Sequence, residues 1–230
     1  MNPRSSDLDL LSRVPDPFVD DARALPPPPV LPPTRSRTRQ QHHQGLLIAG
    51  AIALLFQLGW VAFCRRPLAL ASITPLHWVV SLVPLAGAVG LWRVAAYRGA
   101  RGLGPRMAWL AGGIVAAPVL FALTTMALAP MDRADSTASF VIGAVKCVLG
   151  TGILCAFSLG PFGLAFRRAF ASASVWRSAA LGTACGALAT ATMSVSCPNG
   201  EIMHVLLGHG TIIVIGGVVG AMLGRRFTRV

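Results

Sequence analysis

The sequence predicts an all-α membrane protein, a bundle of six transmembrane helices behind a mostly disordered N-terminal cytoplasmic tail. Three observations predict it. The 230 residues are 54% hydrophobic and only 12% charged, outside the range of soluble globular chains. Apolar stretches recur from Leu46 onward, each near the length of about 20 residues that a helix needs to cross about 30 Å of hydrocarbon. Residues 1–45, by contrast, are charged, proline-rich and short of apolar side chains. The chain thus divides into a tail, 1–45, and a membrane domain, 46–230.

The tail has three parts. Residues 7–24, DLDLLSRVPDPFVDDARA, interleave five acidic residues with Leu8, Leu10, Leu11, Val14 and Phe18. Such a segment suits a short helix that forms only against a partner, and Pro15 and Pro17 confine that helix to the portion before residue 15. Residues 25–34, LPPPPVLPPT, favour an extended, semi-rigid polyproline conformation. Residues 35–43, RSRTRQQHH, form a basic juxtamembrane stretch suited to lipid headgroups. The layout reads as a recognition segment, a spacer and an anchor. The alternative is a disordered tail with no specific partner.

Six spans follow, at about 46–63, 76–92, 108–129, 138–160, 178–196 and 204–224. The first begins too far into the chain for a signal peptide, so it reads as an uncleaved span. Pro84 and Pro118 interrupt two spans, which a membrane helix tolerates where neighbours satisfy the freed carbonyl. The glycines of Gly182-x-x-x-Gly186 and Gly216-x-x-x-Gly220-x-x-x-Gly224 suit close helix packing within the bundle, or dimerisation. The oligomeric state stays open.

The net charge of +12 would fit a nucleic-acid partner, but its placement points to topology. Arg93, Arg98, Arg101, Arg106, Arg167, Arg168, Arg177, Arg225, Arg226 and Arg229 fall on one side of the membrane. Only Arg65, Arg66 and Arg133 fall on the other. Positive charge marks the cytoplasmic face, so both termini are expected inside, with no direct contact to nucleic acid. The outer loops, at 64–75, 130–137 and 197–203, are too short to be ligand-binding domains. A cytoplasmic partner would fall to the tail, and sensing to the bundle.

No H-E-x-x-H, P-loop, G-x-S-x-G or dinucleotide fingerprint is present, and no acidic pair lies within a span. Neither catalysis nor a cofactor is expected. Lys146 stands out in span four, about nine residues or about 13 Å in from the outer end. A charge at that depth costs about 2.5–3.5 kcal/mol on insertion scales, so it should face the interior or snorkel. An ammonium also favours the thiolate of a cysteine that faces it, although the adjacent Cys147 points about 100° away around the helix. Cys155 and Cys185 read as small packing residues, and Cys64 sits at the outer end of span one. Cys197 closes span five at its outer end, followed by Pro198, Asn199, Gly200 and Glu201. With His204 and Glu201 it offers soft and borderline ligands around one turn, in a spacing that matches no standard metal motif. His209 follows on span six. Cys147 reads as too deep to meet Cys197 unless the helix ends are offset, since a disulfide needs Cα atoms within about 7 Å.

The segments SFVIGAVKCVLGTGILCAFSLGPFGLAFRR and SCPNGEIMHVLLGHGTIIVIGGVVGAMLGRR resemble the negative regulators of sigma F, six-span anti-sigma factors of the bacterial inner membrane. Cys147, Cys197-Pro198, Glu201 and Arg225-Arg226 take the positions that carry the resemblance. It covers about the last 90 residues well, the other spans in pattern, and the tail hardly at all. The resemblance implies that the chain holds an extracytoplasmic-function sigma factor at the membrane and releases it under stress. The paired cysteines would sense an oxidant, singlet oxygen generated by light, or a heavy metal, since light-responsive anti-sigma proteins of carotenoid synthesis share this size and layout. The sensing set is then Cys147, Cys197, Lys146, Glu201 and His204, and the sigma-binding set is Leu8, Leu10, Leu11, Val14 and Phe18. A small transporter or permease subunit is the competing reading, with Lys146 in its pathway.

Overall fold

The computed structural model describes residues 39–64, 75–96, 107–128, 137–167, 175–197 and 201–228. Those residues are helical almost throughout, with no strand among them. The helices are α1 (Arg39–Cys64), α2 (Pro75–Ala96), α3 (Met107–Leu128), α4 (Thr137–Arg167) and α5 (Val175–Ser196). The last span is built in three pieces: α6 (Ile202–Val205), a π-helical stretch (Leu206–Gly210) and α7 (Thr211–Thr228). Six helical stretches are long and apolar enough to cross a membrane. The tail residues Leu8, Leu10, Leu11, Val14 and Phe18 lie outside the described residues.

Proline sits where helices accept it. Pro75 opens α2, where its missing N–H has no helical partner to lose. Pro84 and Pro118 lie inside α2 and α3, as expected from sequence. The expected end of span four near residue 160 is wrong, because α4 continues through Pro161 to Arg167. Packing carries it past the proline: Phe162 is buried, and its ring lies 6.3 Å from that of Trp92 on α2.

The fifth span is the hub. In its membrane-crossing window 83% of the residues are buried, against 22–28% in the first four spans. Its sequence explains this. α5 is Ala, Gly, Ser and Thr around most of its circumference, so other backbones approach it from every side. It packs most extensively on α7, then on α2, with α4, α3 and α1 completing the ring. The α5–α7 seam joins the two glycine faces. A methyl at Gly182 would strike the Gly216 carbonyl oxygen, and one at Gly186 would lie 2.5 Å from the Ile212 oxygen. Packing within the bundle therefore accounts for both glycine faces.

The lipid-facing surface is the inverse. Leu55, Leu58, Phe63, Val115, Leu149, Leu164 and Met222 are all exposed, as a bilayer solvent permits and water would not. Between α1 and α4 the contact is mixed. The rings of Phe56 and Phe157 stack 4.3 Å apart, and the amide of Gln57 donates to the Ser158 hydroxyl at 2.8 Å and to the Leu154 carbonyl at 3.3 Å. Interhelical hydrogen bonds of this kind contribute about 0.6 kcal/mol in membrane proteins, with a ceiling near about 1.7. Gln57→Leu should therefore lower the unfolding free energy in mixed micelles by about 1 kcal/mol or less. Ser158 stays satisfied in that variant, because its hydroxyl already donates to the Leu154 carbonyl at 2.9 Å.

Candidate functional site

Four side chains from three helical segments converge near one end of the bundle. Cys147 comes from α4, Cys197 from the end of α5, and His204 and His209 from the last span. One ligand atom from each lies within 4.8 Å of the others. The Cys147 and Cys197 sulfurs are 3.6 Å apart, and His204 Nε2 lies 3.2 Å from the first and 3.4 Å from the second. His204 and His209 meet edge to face, with ring centroids 5.6 Å apart.

Local sequence places each residue. Thr151, one turn after Cys147, donates its hydroxyl to the Cys147 carbonyl at 2.6 Å. The Cys197 N–H donates to the Met193 carbonyl at 2.8 Å, which keeps the cysteine in the helical ladder for one residue beyond Ser196. Pro198 follows in sequence and can offer no such bond. The last span then starts at Glu201, the N-cap of α6, whose carbonyl accepts the Val205 N–H at 2.9 Å. Glycine opens room for the approach. A Cβ on Gly208 would sit 3.2 Å from the Cys147 Cβ, and one on Gly143 would lie 3.5 Å from the His204 ring.

The π-helical stretch brings in the fourth residue. On an uninterrupted α-helix, residues five apart point about 140° from one another. The wider turn at Leu206–Gly210 closes that angle and sets His209 beside His204. Such a turn frees backbone carbonyls, which cannot be left bare in a membrane. Thr190 of α5 donates to the His209 carbonyl at 2.9 Å, and Thr211 to the Leu207 carbonyl at 2.7 Å. The His209 ring is held by Ser194, whose hydroxyl lies 3.3 Å from Nδ1.

Of the residues expected from sequence, Cys147, Cys197 and His204 are brought together. Lys146 and Glu201 are not among the four that converge. The Lys146 side chain is exposed on the bundle surface, so it does not line the interior. Glu201 is half-buried and occupies the N-cap position of α6 without a side-chain capping bond. Cys147 was expected to lie too deep to meet Cys197 unless the helix ends are offset, and they are offset. α4 is 31 residues long and α5 only 22, so a residue ten positions into α4 lies level with the end of α5. His209 is not in the sensing set expected from sequence; on an uninterrupted α-helix it would point away from His204, and the π-helical turn brings it in. The signal was the pair of glycines, Gly208 and Gly210, that flank it within a membrane span.

The arrangement puts two thiols and two imidazoles in a water-poor interior. It can hold a soft or borderline cation, or close the sulfur gap to a disulfide. A multi-pass membrane protein of six spans, with a thiol–imidazole cluster where its fourth, fifth and sixth spans meet, is the class these features define. The chain belongs to the negative regulator of sigma F family, whose model matches residues 30–229. The match contains all six spans and all four converging residues, and leaves out the tail before Val30. No curated protein and no solved structure matches the chain.

Proposed function

We propose that this protein is an anti-sigma factor of the bacterial inner membrane. It holds an extracytoplasmic-function sigma factor at the cytoplasmic face and releases it when stress acts on Cys147 and Cys197. The observation that carries the sensing part is the 3.6 Å separation of two buried sulfurs from different helices, in a chain of a sigma-regulating family. Oxidation would join them as a disulfide, with two protons lost to solvent and two electrons to the oxidant. A light-generated oxidant such as singlet oxygen fits this chemistry, and a thiophilic metal would act on the same sulfurs.

The arginine distribution supports cytoplasmic termini, which puts the tail on the side where a sigma factor is found. A physical link from the cluster to α1, the helix that follows the tail in sequence, runs through α4. That helix carries Cys147, and it also holds α1 through Ser158 and Phe157, while α1 continues from the tail. A shift of α4 relative to α5 therefore reaches α1 without an intermediary.

Capture is tested with the full chain in vesicles and the sigma factor encoded beside its gene. The sigma factor should co-sediment, and deletion of residues 1–34 should weaken capture by at least about tenfold, the loss of about 1.4 kcal/mol or more expected for a short apolar recognition segment. Equal capture without those residues would move the binding surface to the bundle loops. No capture by the full chain would reject the anti-sigma reading.

A further inference from the structure

We propose that Cys147, Cys197, His204 and His209 form a metal centre within the membrane domain, holding a divalent d10 cation of the zinc class through two thiolates and two neutral imidazoles. The inference concerns the site given a sensing role above and in that respect rests on that reading, but its geometry stands by itself.

The spacing is the first argument. Bonds of about 2.3 Å to sulfur and about 2.0 Å to nitrogen, arranged tetrahedrally, set ligand separations of about 3.8 Å for S···S and about 3.5 Å for S···N. The corresponding distances here are 3.6 Å for S···S and 3.2 and 3.4 Å for S···N. His209 offers a fourth donor within 4.8 Å of the other three, and with it drawn in, four donors would leave no open position, the pattern of a structural rather than a catalytic zinc site.

The second argument is the state of the histidines. His204 is 2% exposed and His209 is fully buried, yet among the described residues His204 Nδ1 and His209 Nε2 have no hydrogen-bond partner. An unmet imidazole nitrogen in a bundle interior is costly, and an ion would answer for His209 Nε2. His204 turns Nε2 to the two sulfurs, so its Nδ1 lies outside the ligand set. With Nδ1 of His209 placed on the Ser194 hydroxyl, its Nε2 is left to bind an ion. This is the outer-shell arrangement by which proteins fix the tautomer of a metal-bound histidine.

Charge selects the ion. Two thiolates and two neutral imidazoles carry two negative charges, which a divalent cation cancels. The filled site would be neutral, the form a low-dielectric interior accepts at least cost. A monovalent soft cation would leave a buried negative charge. Hard cations that demand oxygen ligands find none among the four donors. Binding converts two thiols to thiolates, so each ion taken up releases two protons.

The test uses the full chain purified in detergent under reducing conditions. Elemental analysis should find one zinc per chain after loading and washing, and Co2+ in its place should show the sulfur-to-metal charge-transfer band of a tetrahedral thiolate site. In competition with a chromophoric chelator, Zn2+ affinity should fall at least about a hundredfold in Cys147→Ser, Cys197→Ser and His209→Gln. In Ser194→Ala, which keeps all four ligands, it should fall about 10–100-fold. Lys146→Ala should match the unaltered chain. Absence of stoichiometric metal from the unaltered chain would overturn the proposal, as would undiminished affinity in both His209→Gln and Ser194→Ala. The two readings fail separately. A chain that captures its sigma factor and binds no metal loses the metal centre alone. One that binds metal and captures no sigma factor loses the anti-sigma role alone.

Discussion

Serine at both Cys147 and Cys197 should lock the protein in its repressing form. Expression of the sigma-dependent genes should then stay at the uninduced level under thiol-directed stress, with the induction ratio collapsing to unity. The substitution replaces sulfur by oxygen with little change of shape, so the packing at the junction of α4, α5 and the last span is retained. What is lost is chemistry: a hydroxyl forms no disulfide and is a poor ligand for a soft cation. Each single serine variant should abolish induction by an oxidant, since a disulfide needs both sulfurs. Lys146→Ala should induce normally, because that side chain is exposed on the bundle surface. A reporter gene in the native host reads all of these. Normal induction in the double variant would reject sensing at this site.

The second large effect concerns the fold. Gly182→Val should prevent α7 from docking on α5. A β-carbon at residue 182 would collide with the Gly216 carbonyl oxygen and come within 3.0 Å of the Gly220 Cα. Both are backbone atoms, so no rotamer change relieves the clash and the helices must part. Overpacking a core costs about 1–3 kcal/mol where side chains can yield, and a collision with backbone belongs at or above the top of that range. The variant should show a sharply lower unfolding midpoint and poor accumulation in membranes. Gly59→Val is the matched control. Among the described residues no atom outside its own stretch of helix backbone lies within 4 Å of a Cβ there, so its stability should be close to that of the unaltered chain.

The sequence and the fold agree where the physics is local and differ where it depends on relative depth. Spans were legible because hydrophobic length is a one-dimensional property, and the glycine faces because their spacing repeats at the helical period. The end of α4 was not legible, since Phe162 and Trp92 hold the helix together beyond Pro161 through a contact distant in sequence. The meeting of Cys147 and Cys197 stayed conditional for a related reason, since the offset it needs is not written in either span. Counting residues from a span's end assumes that neighbouring helices end at one level, and α4 overshoots α5. Lys146 drew attention as the lone lysine, yet a stem of four methylenes lets such a residue lie along lipid-facing surface with its charge directed to the interface. His209 was within reach of the sequence only to a reader who allowed the helix a turn of five.

The π-helical stretch also makes a statement about descent. A π turn within an α-helix is the form taken by one surplus residue, absorbed without rotating the rest of the helix. The rest of this helix carries the Gly216–Gly220–Gly224 face, whose register against α5 leaves no freedom. Removing one residue between His204 and His209 should therefore convert the turn to an ordinary α-helix, leave the glycine face undisturbed, and set the two histidines four apart on one side. Family members that lack the surplus residue should read His-x-x-x-His where this chain reads His-x-x-x-x-His. In an alignment, the gap would mark a conserved pairing of the rings, although it would look like the loss of one.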